Sequence, residues 1–192
     1  MPSSDPTSIG TILEIVRELK PQSILDIGVG CGKYGVLFRE YLDGHWVGRA
    51  FHDKGTWKTT IIGMEIWHAY ITPVHDYVYN EIVLCDAYDY LKEHNHLGHF
   101  DLIFMGDTIE HFSKDKGMEL IQILRDKWLK SGGHLLLSTP NFKTQINNES
   151  LAVFGNHHEV HRCRWSADDF KNLGMKVTVL EGRHIIANLE KL

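Results

Sequence analysis

The hydrophobic positions of this chain follow two patterns that alternate along the sequence. Five short runs are almost continuously apolar: residues 23–27, 60–66, 81–85, 101–105 and 134–138. Such runs predict strands that are buried on both faces, as in a parallel sheet. Between them, apolar residues recur at helical spacing: residues 9–19, 36–42, 87–92 and 114–129. Strands that alternate with helices predict an α/β fold in which helices cover both faces of a mostly parallel sheet.

The C-terminal part adds an antiparallel element. Ser166-x-x-Asp169 has the form of a capping box and predicts a helix that ends at Gly174. Two β-like runs, 176–180 and 184–189, are then separated only by Glu181-Gly182-Arg183, which predicts a hairpin. We therefore expect a doubly wound, seven-stranded sheet that closes with an antiparallel hairpin.

Two segments fall outside this pattern. Residues 1–8 are small and polar and include two prolines, so they predict a loose lead-in. Residues 45–58 are polar, dotted with aromatic side chains and without clear periodicity, so we interpret them as an inserted loop. The sequence contains no recognisable linker or repeat, and a chain of 192 residues is of single-domain size. One domain over residues 1–192 is expected.

The amino-acid composition limits the classes of binding partner and the cellular setting that are expected. A formal charge of −5 provides no general attraction to phosphate backbones or anionic membranes, so a small-molecule substrate is expected rather than nucleic acid. Cys31, Cys85 and Cys163 are odd in number and widely spaced, which favours a reduced, cytoplasmic setting. No apolar run approaches the ~18 residues that span a bilayer, and the N-terminus lacks a signal-peptide pattern.

A glycine-rich turn follows the first predicted strand in ILDIGVGCG, with Gly28, Gly30 and Gly32. This is the point at which a parallel α/β sheet opens its ligand crevice, and side chains there would obstruct a cofactor. GCGKYG also matches GxGxxG, so a nicotinamide-dependent oxidoreductase is a competing interpretation. The carboxylate of Asp26 disfavours a pyrophosphate and favours a cofactor with an ammonium group and a sulfonium centre.

ILDIGVGCG resembles the first motif of class I S-adenosylmethionine-dependent methyltransferases, and the similarity continues along almost the whole chain from Ser23. The resemblance implies that Glu65 in IIGMEI holds the ribose hydroxyls and that Asp86, followed by Ala87 in IVLCDA, contacts the adenine. FDLIFMGDTIEH and GGHLLLSTPN resemble the family's fourth motif and fifth strand. The interval from Asp26 to Glu65 is about twice the usual ~20 residues, which the inserted loop would absorb. Alternatively, Glu65 is an exposed strand-end acid and Asp86 only caps the following helix.

Asp107, Glu110 and His111 stand at i, i+3 and i+4, so a helix starting at Asp107 would turn all three to one face. Asp107-x-x-Glu110 also has the form of a capping box. With His161 from a later His-rich stretch, these side chains are candidates for catalysis, through a general base, or for a divalent metal site. We rank a general base or substrate-positioning role first, with Asp107, His111 and His161 as the catalytic residues, a metal site second and pure capping third.

Two subfamilies carry similar pieces. In small-RNA 3′-terminal 2′-O-methyltransferases, Glu-x-x-Glu-His and a later His four residues before a Trp hold a metal; Asp107 to His111, His161 and Trp165 line up with these positions. Ubiquinone-biosynthesis O-methyltransferases share the Glu-His pair. This chain departs from the first pattern in having Asp107 for Glu, and its negative charge argues against RNA.

The expected activity is therefore O-methylation of a small hydroxylated molecule, such as a sugar or biosynthetic intermediate, with S-adenosylmethionine as cofactor and a divalent metal as a further option. The alternatives are a metal-dependent RNA 2′-O-methyltransferase, a nicotinamide-dependent oxidoreductase and a non-catalytic cofactor-binding protein. The remaining histidines, His75, His134 and His184 among them, are too scattered to argue a site. Four aromatic side chains around the inserted loop predict either a lid or homodimer face, or ordinary core: Trp46, Trp57, Trp67 and Tyr70.

Overall fold

A computed structural model describes residues 4–44, 53–94, 99–141 and 155–192. Seven strands form one sheet: β1 (Ser23–Ile27), β2 (Thr60–Glu65), β3 (Glu81–Leu84), β4 (Phe100–Gly106), β5 (Leu129–Pro140), β6 (Lys176–Leu180) and β7 (His184–Glu190). The α-helices are α1 (Ile9–Leu19), α2 (Lys33–Phe38), α3 (Pro73–Val78), α4 (Ala87–Glu93), α5 (Lys114–Ile123) and α6 (Ala167–Asn172). Short π-helical turns extend α2 and α5 at their C-terminal ends.

The strand order is β3-β2-β1-β4-β5-β7-β6. The pairings among β1 to β5 are parallel, whereas β7 is antiparallel to both β5 and β6. The expected doubly wound sheet with a C-terminal antiparallel hairpin is confirmed. The chain reverses its direction of winding between β1 and β4, so a ligand crevice is expected outside the carboxyl ends of these two strands.

Successive residues of the central strands alternate between two cores, one on each face of the sheet. Ile24 packs on one face and Leu25 on the other. α1, α2 and α3 cover the first face, whereas α4, α5 and α6 cover the second. Because both faces are buried, the strands are continuously apolar, which is why the sequence pattern locates them within a few residues.

Several local features differ from the expectations. α3 was not expected; it spans six residues, too few to show a helical period, and begins with Pro73 after Thr72. The expected loose lead-in is wrong for residues 4–8, since Pro6–Ser8 forms a 3₁₀ turn and the Ser8 side chain is buried. The first part of the inserted loop, 45–52, lies outside the described residues, and Lys54–Thr56 is another 3₁₀ turn.

Arg39 anchors the described end of that loop. Its guanidinium is fully buried, donates to the carboxylate of Asp43 at 2.8 Å and to the carbonyl of Val78, and lies 4.4 Å from the ring centroid of Trp57. Trp57 also packs edge-on against Tyr77. Trp57 is therefore a packing residue of this corner.

Candidate active site

A cavity of about 1000 Å³ opens at the carboxyl ends of β1 to β5 and at the start of β7. This volume lies at the upper end of the range for small-molecule sites. The glycine turn, the ends of β2 and β4 and the 156–162 segment line it, together with Ser4, Asp5 and Pro6. The cavity lies where the reversal of winding predicts a ligand crevice.

The glycine turn requires glycine for two different reasons. Gly28 has a φ of +79°, and a Cβ there would lie 2.5 Å from Oγ1 of Thr108, so both conformation and space exclude a side chain. Gly30 has a φ of +55° and lines the cavity, with no atom within 4 Å of a Cβ placed there. The turn therefore presents bare backbone to the cavity, as a closely bound cofactor requires. Gly32 also has a positive φ, but it starts α2 and does not line the cavity.

Asp26 lies behind the glycine turn and does not line the cavity, so the expected direct contact with the cofactor is corrected. Its carboxylate is buried and accepts a hydrogen bond of 2.6 Å from the hydroxyl of Tyr79. Burial raises the pKa of Asp26 to about 7; the hydroxyl of Tyr79 opposes this and the charge of Glu65 adds to it. Asp26 is thus a buried acid that supports the turn from below.

Glu65 lies at the end of β2 and is almost fully buried, which disagrees with an exposed strand-end acid. Its carboxylate accepts hydrogen bonds from the backbone N–H groups of Gly30 (2.9 Å), Ile66 (3.0 Å) and Trp67 (2.8 Å). Burial raises the pKa of Glu65, and these N–H groups oppose the increase. Because Glu65 lines the cavity beside Gly30, it is where a ribose-binding acid is expected.

Asp86 caps the following helix and also lines the cavity. One carboxylate oxygen caps α4, accepting from the N–H groups of Tyr88 and Asp89 at 2.9 and 3.2 Å. Asp86 and Ala87 also line the cavity, next to Glu65. The capping role therefore does not remove Asp86 from the site.

The segment after β4 does not form the expected helix. Asp107 has a left-handed φ of +49°, and only one 3₁₀ turn, Ile109–His111, follows it after Thr108. The capping-box interpretation of Asp107 and Glu110 is therefore wrong. The Asp107 carboxylate instead accepts from the backbone N–H of Asp5 at 3.0 Å, whereas Glu110 points inward and is fully buried.

Glu110, His111 and His161 meet at the cavity wall, each with a potential ligand atom within 4.8 Å of the others. Asp107, the fourth expected metal ligand, is not part of this cluster. Glu110 Oε2 accepts from the hydroxyl of Thr139, but Glu110 Oε1 and His161 Nδ1 are buried without a hydrogen-bond partner in the described structure. Two orphaned atoms beside a second imidazole are a donor set that fits a divalent cation with mixed oxygen and nitrogen ligands.

The burial of Glu110, His111 and His161 shifts their pKa values toward the uncharged forms of these side chains. Burial and the nearby carboxylate of Asp107 raise the pKa of Glu110 well above its ordinary value. Burial, followed by His161, lowers the pKa of His111 to about 4, and burial lowers that of His161. His111 Nδ1 lies 3.3 Å from the carbonyl of Val160, to which it can only donate, so Nε2 carries the lone pair. The imidazole of His111 is therefore neutral at pH 7, and the pKa of His161 is shifted in the same direction.

The sequence did not single out His184, which the structure places in the site. His184 begins β7, pairs in register with Pro140 of β5, and is 1% exposed. Its Nε2 atom lies 3.0 Å from Oδ1 of Asp107. His75 is also buried, with its Nε2 atom 3.0 Å from the carbonyl of Gly30, so it supports the glycine turn. No local pattern distinguishes these two histidines from exposed ones.

Trp67 and Tyr70, two of the other expected lid residues, do not line the cavity. Trp67 packs near His158, and the hydroxyl of Tyr70 accepts a hydrogen bond from Asn156. Trp46 lies outside the described residues.

Cys31, Cys85 and Cys163 are free thiols. Within the described ranges, each helix is too short or too polar to cross a bilayer.

Comparisons with known proteins identify the class. A family model described as a methyltransferase domain matches residues 10–177, so the chain belongs to this family of methyltransferase domains. The protein is thus an S-adenosylmethionine-dependent methyltransferase, and the oxidoreductase alternative is set aside. The glycine turn fits this cofactor, because side chains would fill the space in front of Gly30.

Solved structures share the fold at low sequence identity. A SAM-dependent methyltransferase from Archaeoglobus fulgidus has a TM-score of 0.59 at 18% identity and covers 94% of this chain and 94% of its own. The DhpI–SAH complex has a TM-score of 0.62 at 10% identity, covering 95% and 84%. The methyltransferase domain of bacterial CtHen1-CN has a TM-score of 0.59 at 13% identity, covering 95% and 96%. A search of curated proteins finds no significant match.

Proposed function

We propose that this methyltransferase transfers the methyl group of S-adenosylmethionine to a hydroxyl oxygen of a small polar molecule. The observation that carries the proposal is the cluster of Glu110, His111 and His161 in the cavity wall, with two buried atoms left unpartnered. Methyl transfer from a sulfonium is a direct displacement, so the protein mainly aligns the nucleophile in a dry cleft. An alcohol must also lose its proton, and this cluster is suited to that task.

The close approach of the three potential ligand atoms, two of them buried and unpartnered within the described residues, favours a metal site over a general base, the interpretation ranked first from the sequence. A base with a pKa of about 4, as in His111, is poorly matched to neutral pH. The same lone pair is a good metal ligand, and a cation would compensate the buried carboxylate of Glu110. Oxygen and nitrogen ligands together suit Mn²⁺, Fe²⁺, Co²⁺ or Zn²⁺ better than Mg²⁺. A bound cation would supply Lewis acidity that lowers the pKa of a coordinated hydroxyl.

A small acceptor is supported by the charge around the cavity. Six acidic residues line it against four basic ones, and the chain carries a net charge of −5. The acidic residues are Asp5, Glu65, Asp86, Asp107, Glu110 and Glu159, and the basic ones are Lys33, Lys116, Arg162 and Arg183. Phosphate backbones bind through clustered Lys and Arg. Arg162, which also lines the cavity, donates hydrogen bonds to the carbonyls of His111 and His157 and so holds the loop.

RNA 2′-O-methylation is the second candidate, because Glu110, His111 and His161 occupy positions that resemble the metal site of small-RNA methyltransferases. Two departures weaken it. Asp107 turns toward His184 instead of the cluster, and Trp165 is a core residue stacked on Phe170 at 4.9 Å. A terminal ribose in the acceptor panel below tests this candidate directly.

The first experiment measures the metal without relying on turnover. Mn²⁺ should bind the purified, chelator-treated protein in a calorimetric titration, and Glu110→Gln and His161→Ala should each weaken binding at least ~10-fold. The matched control is His134→Gln, because His134 contacts Asn188 at the other end of the same β5–β7 pair. Equal Mn²⁺ affinity in all four proteins would refute the metal site.

The second experiment measures turnover. Methyl-labelled S-adenosylmethionine is incubated with sugars, methyl glycosides, inositols, phenols and short RNA with a terminal ribose. Chelation should abolish methyl transfer, spare cofactor binding, and be reversed by Mn²⁺ or Co²⁺. If chelators have no effect but His161→Ala lowers the rate by about 10²–10⁴, the general-base mechanism is correct. Cofactor binding without any methylated product would support the non-catalytic alternative.

A further inference from the structure

A second pair of polar side chains lies beside the cluster of Glu110, His111 and His161. Asp107 Oδ1 and His184 Nε2 are 3.0 Å apart, and both side chains line the cavity. Although the two atoms lie this close, neither makes a hydrogen bond within the described part of the chain. The His184 side chain is only 1% exposed, so the pair lies within the cavity wall. Hydrogen-bonding capacity that the protein leaves unused in the wall of a cavity is available to a ligand group that enters the cavity.

The backbone holds Asp107 in this position. Its left-handed φ of +49° is uncommon for a residue other than glycine. The N–H of Asp107 donates to the carbonyl of Ser138 at 2.9 Å, and its Oδ2 atom accepts from the N–H of Asp5 at 3.0 Å. The second oxygen, Oδ1, is thereby directed to His184 and the cavity. A conformation of this kind, fixed from two sides, is typical of a functional position.

The chemistry of the pair selects a hydroxyl group. A carboxylate accepts hydrogen bonds, and an imidazole nitrogen can donate one. A hydroxyl does both at once, so it can donate to Asp107 Oδ1 and accept from His184 Nε2. An ammonium group would leave the imidazole N–H unpartnered, and a second carboxylate would be repelled by Asp107.

The pair is close to the place where the reacting hydroxyl is proposed to bind. Asp107 precedes Glu110 by three residues, and its charge acts on the protonation of Glu110, His111 and His161. His184 stands in register with Pro140, the residue after Thr139, and the hydroxyl of Thr139 donates to Glu110. Both groups therefore belong to the wall of the same cavity, where two hydroxyls of one acceptor would bind.

We propose that Asp107 and His184 form a second acceptor subsite that binds a non-reacting hydroxyl, and that the acceptor is a polyhydroxylated compound such as a sugar or cyclitol. This inference rests on the proposed function, since it assumes that the neighbouring cluster binds the hydroxyl that is methylated. It assigns His184 as a substrate-binding residue and gives Asp107 a role separate from metal binding.

The test compares polyols with their deoxy analogues. The acceptors are myo-inositol and the methyl glycosides of glucose, ribose and rhamnose, each paired with compounds that lack one hydroxyl; cyclohexanol and phenol represent lone hydroxyls. Methyl transfer from labelled S-adenosylmethionine is measured for the wild type, Asp107→Asn, His184→Gln and the control His134→Gln. For the best polyol, removal of one particular non-reacting hydroxyl should lower kcat/KM by at least ~10²-fold in the wild type.

The variants should lose this discrimination. Asp107→Asn and His184→Gln are expected to raise the KM of the polyol about 10- to 100-fold and to treat polyol and deoxy analogue alike, with unchanged affinity for S-adenosylmethionine. His184→Gln should also leave the affinity for Mn²⁺ unchanged. His134→Gln should behave as the wild type. If His184→Gln unfolds, the same comparison is made with Asp107→Asn, whose side chain is partly exposed and keeps one oxygen.

The outcomes separate the two proposals. Methylation of cyclohexanol or phenol as efficiently as of any polyol would overturn the second subsite but leave the proposed function intact. Variants that retain full discrimination between polyol and deoxy analogue would also overturn it. If cofactor-bound protein methylates nothing in the panel, both proposals fail together.

Discussion

Replacing Asp26 with asparagine should change how stability depends on pH. The Asp26 carboxyl is buried and accepts a hydrogen bond from the hydroxyl of Tyr79. Its pKa is raised from 3.8 to about 7. An unfolded chain releases this proton near pH 4, whereas the folded protein keeps it until about pH 7. Between these values the folded state binds more protons, so the stability of the wild type falls as pH rises and levels off above pH 7.

The magnitude follows from the two pKa values. Each tenfold difference in proton affinity is worth about 1.4 kcal/mol. The full effect of moving the pKa of Asp26 from 3.8 to about 7 is therefore about 4 kcal/mol, of which about 2 to 3 kcal/mol falls between pH 5 and pH 8. The asparagine in the Asp26→Asn variant cannot ionise, and its amide oxygen can still accept from Tyr79. The buried N–H groups of that amide cost about 1 to 3 kcal/mol at every pH.

The assay is urea unfolding of the cofactor-free protein at pH 5 and pH 8. The free-energy difference between Asp26→Asn and the wild type should shift in favour of the variant by about 2 to 3 kcal/mol on going from pH 5 to pH 8. Asp168→Asn is the control, because Asp168 is highly exposed and its side chain contacts only Lys171 in the described structure. A difference that is the same at both pH values would refute the buried, protonated Asp26.

Two further substitutions test the glycine turn and its acidic neighbour. Gly28→Ala should lower the free energy of unfolding by about 2 kcal/mol or more and weaken cofactor binding, since its Cβ would meet Thr108 at 2.5 Å. The control is Gly10→Ala, on α1 with free space around it, which should raise the free energy of unfolding by up to about 1 kcal/mol in the same urea assay. Glu65→Ala should lower both the unfolding free energy, by about 2 to 5 kcal/mol, and the affinity for S-adenosylmethionine in a calorimetric titration, because three backbone N–H groups lose their acceptor. An unchanged urea midpoint for Glu65→Ala would show that water replaces the carboxylate.

The sequence pattern predicted those helices and strands whose burial follows one pattern along their whole length. β1 was expected at residues 23–27 and is found there, because its neighbours cover both faces. β5 begins five residues earlier than expected, since Leu129 already pairs with Phe100 of β4, before an irregularity that precedes the pairing of His134. α3 escaped notice because six residues hold fewer than two helical turns.

Local motifs in the sequence led to residues that line the cavity, whereas residues that depend on distant pairing were missed. Gly28, Gly30, Glu65 and Asp86 all lie in the cavity wall, because they stand at or just after the carboxyl ends of parallel strands. His184 reaches Asp107 only through the antiparallel pairing of β7 with β5, which no spacing in the sequence reveals. The helix expected to start at Asp107 does not form, because Asp107 adopts a left-handed conformation with a φ of +49°.

The course of the first described residues has a practical consequence for protein preparation. Ser4, Asp5 and Pro6 line the cavity, and the carbonyl of Ser4 accepts a hydrogen bond from Lys33. Any segment joined directly ahead of Ser4 would therefore start next to the cavity. β7 carries the carboxyl end to the opposite margin of the sheet, where Glu190 pairs with His134. Purification handles and fluorescent labels belong at that end when ligand entry is to be measured.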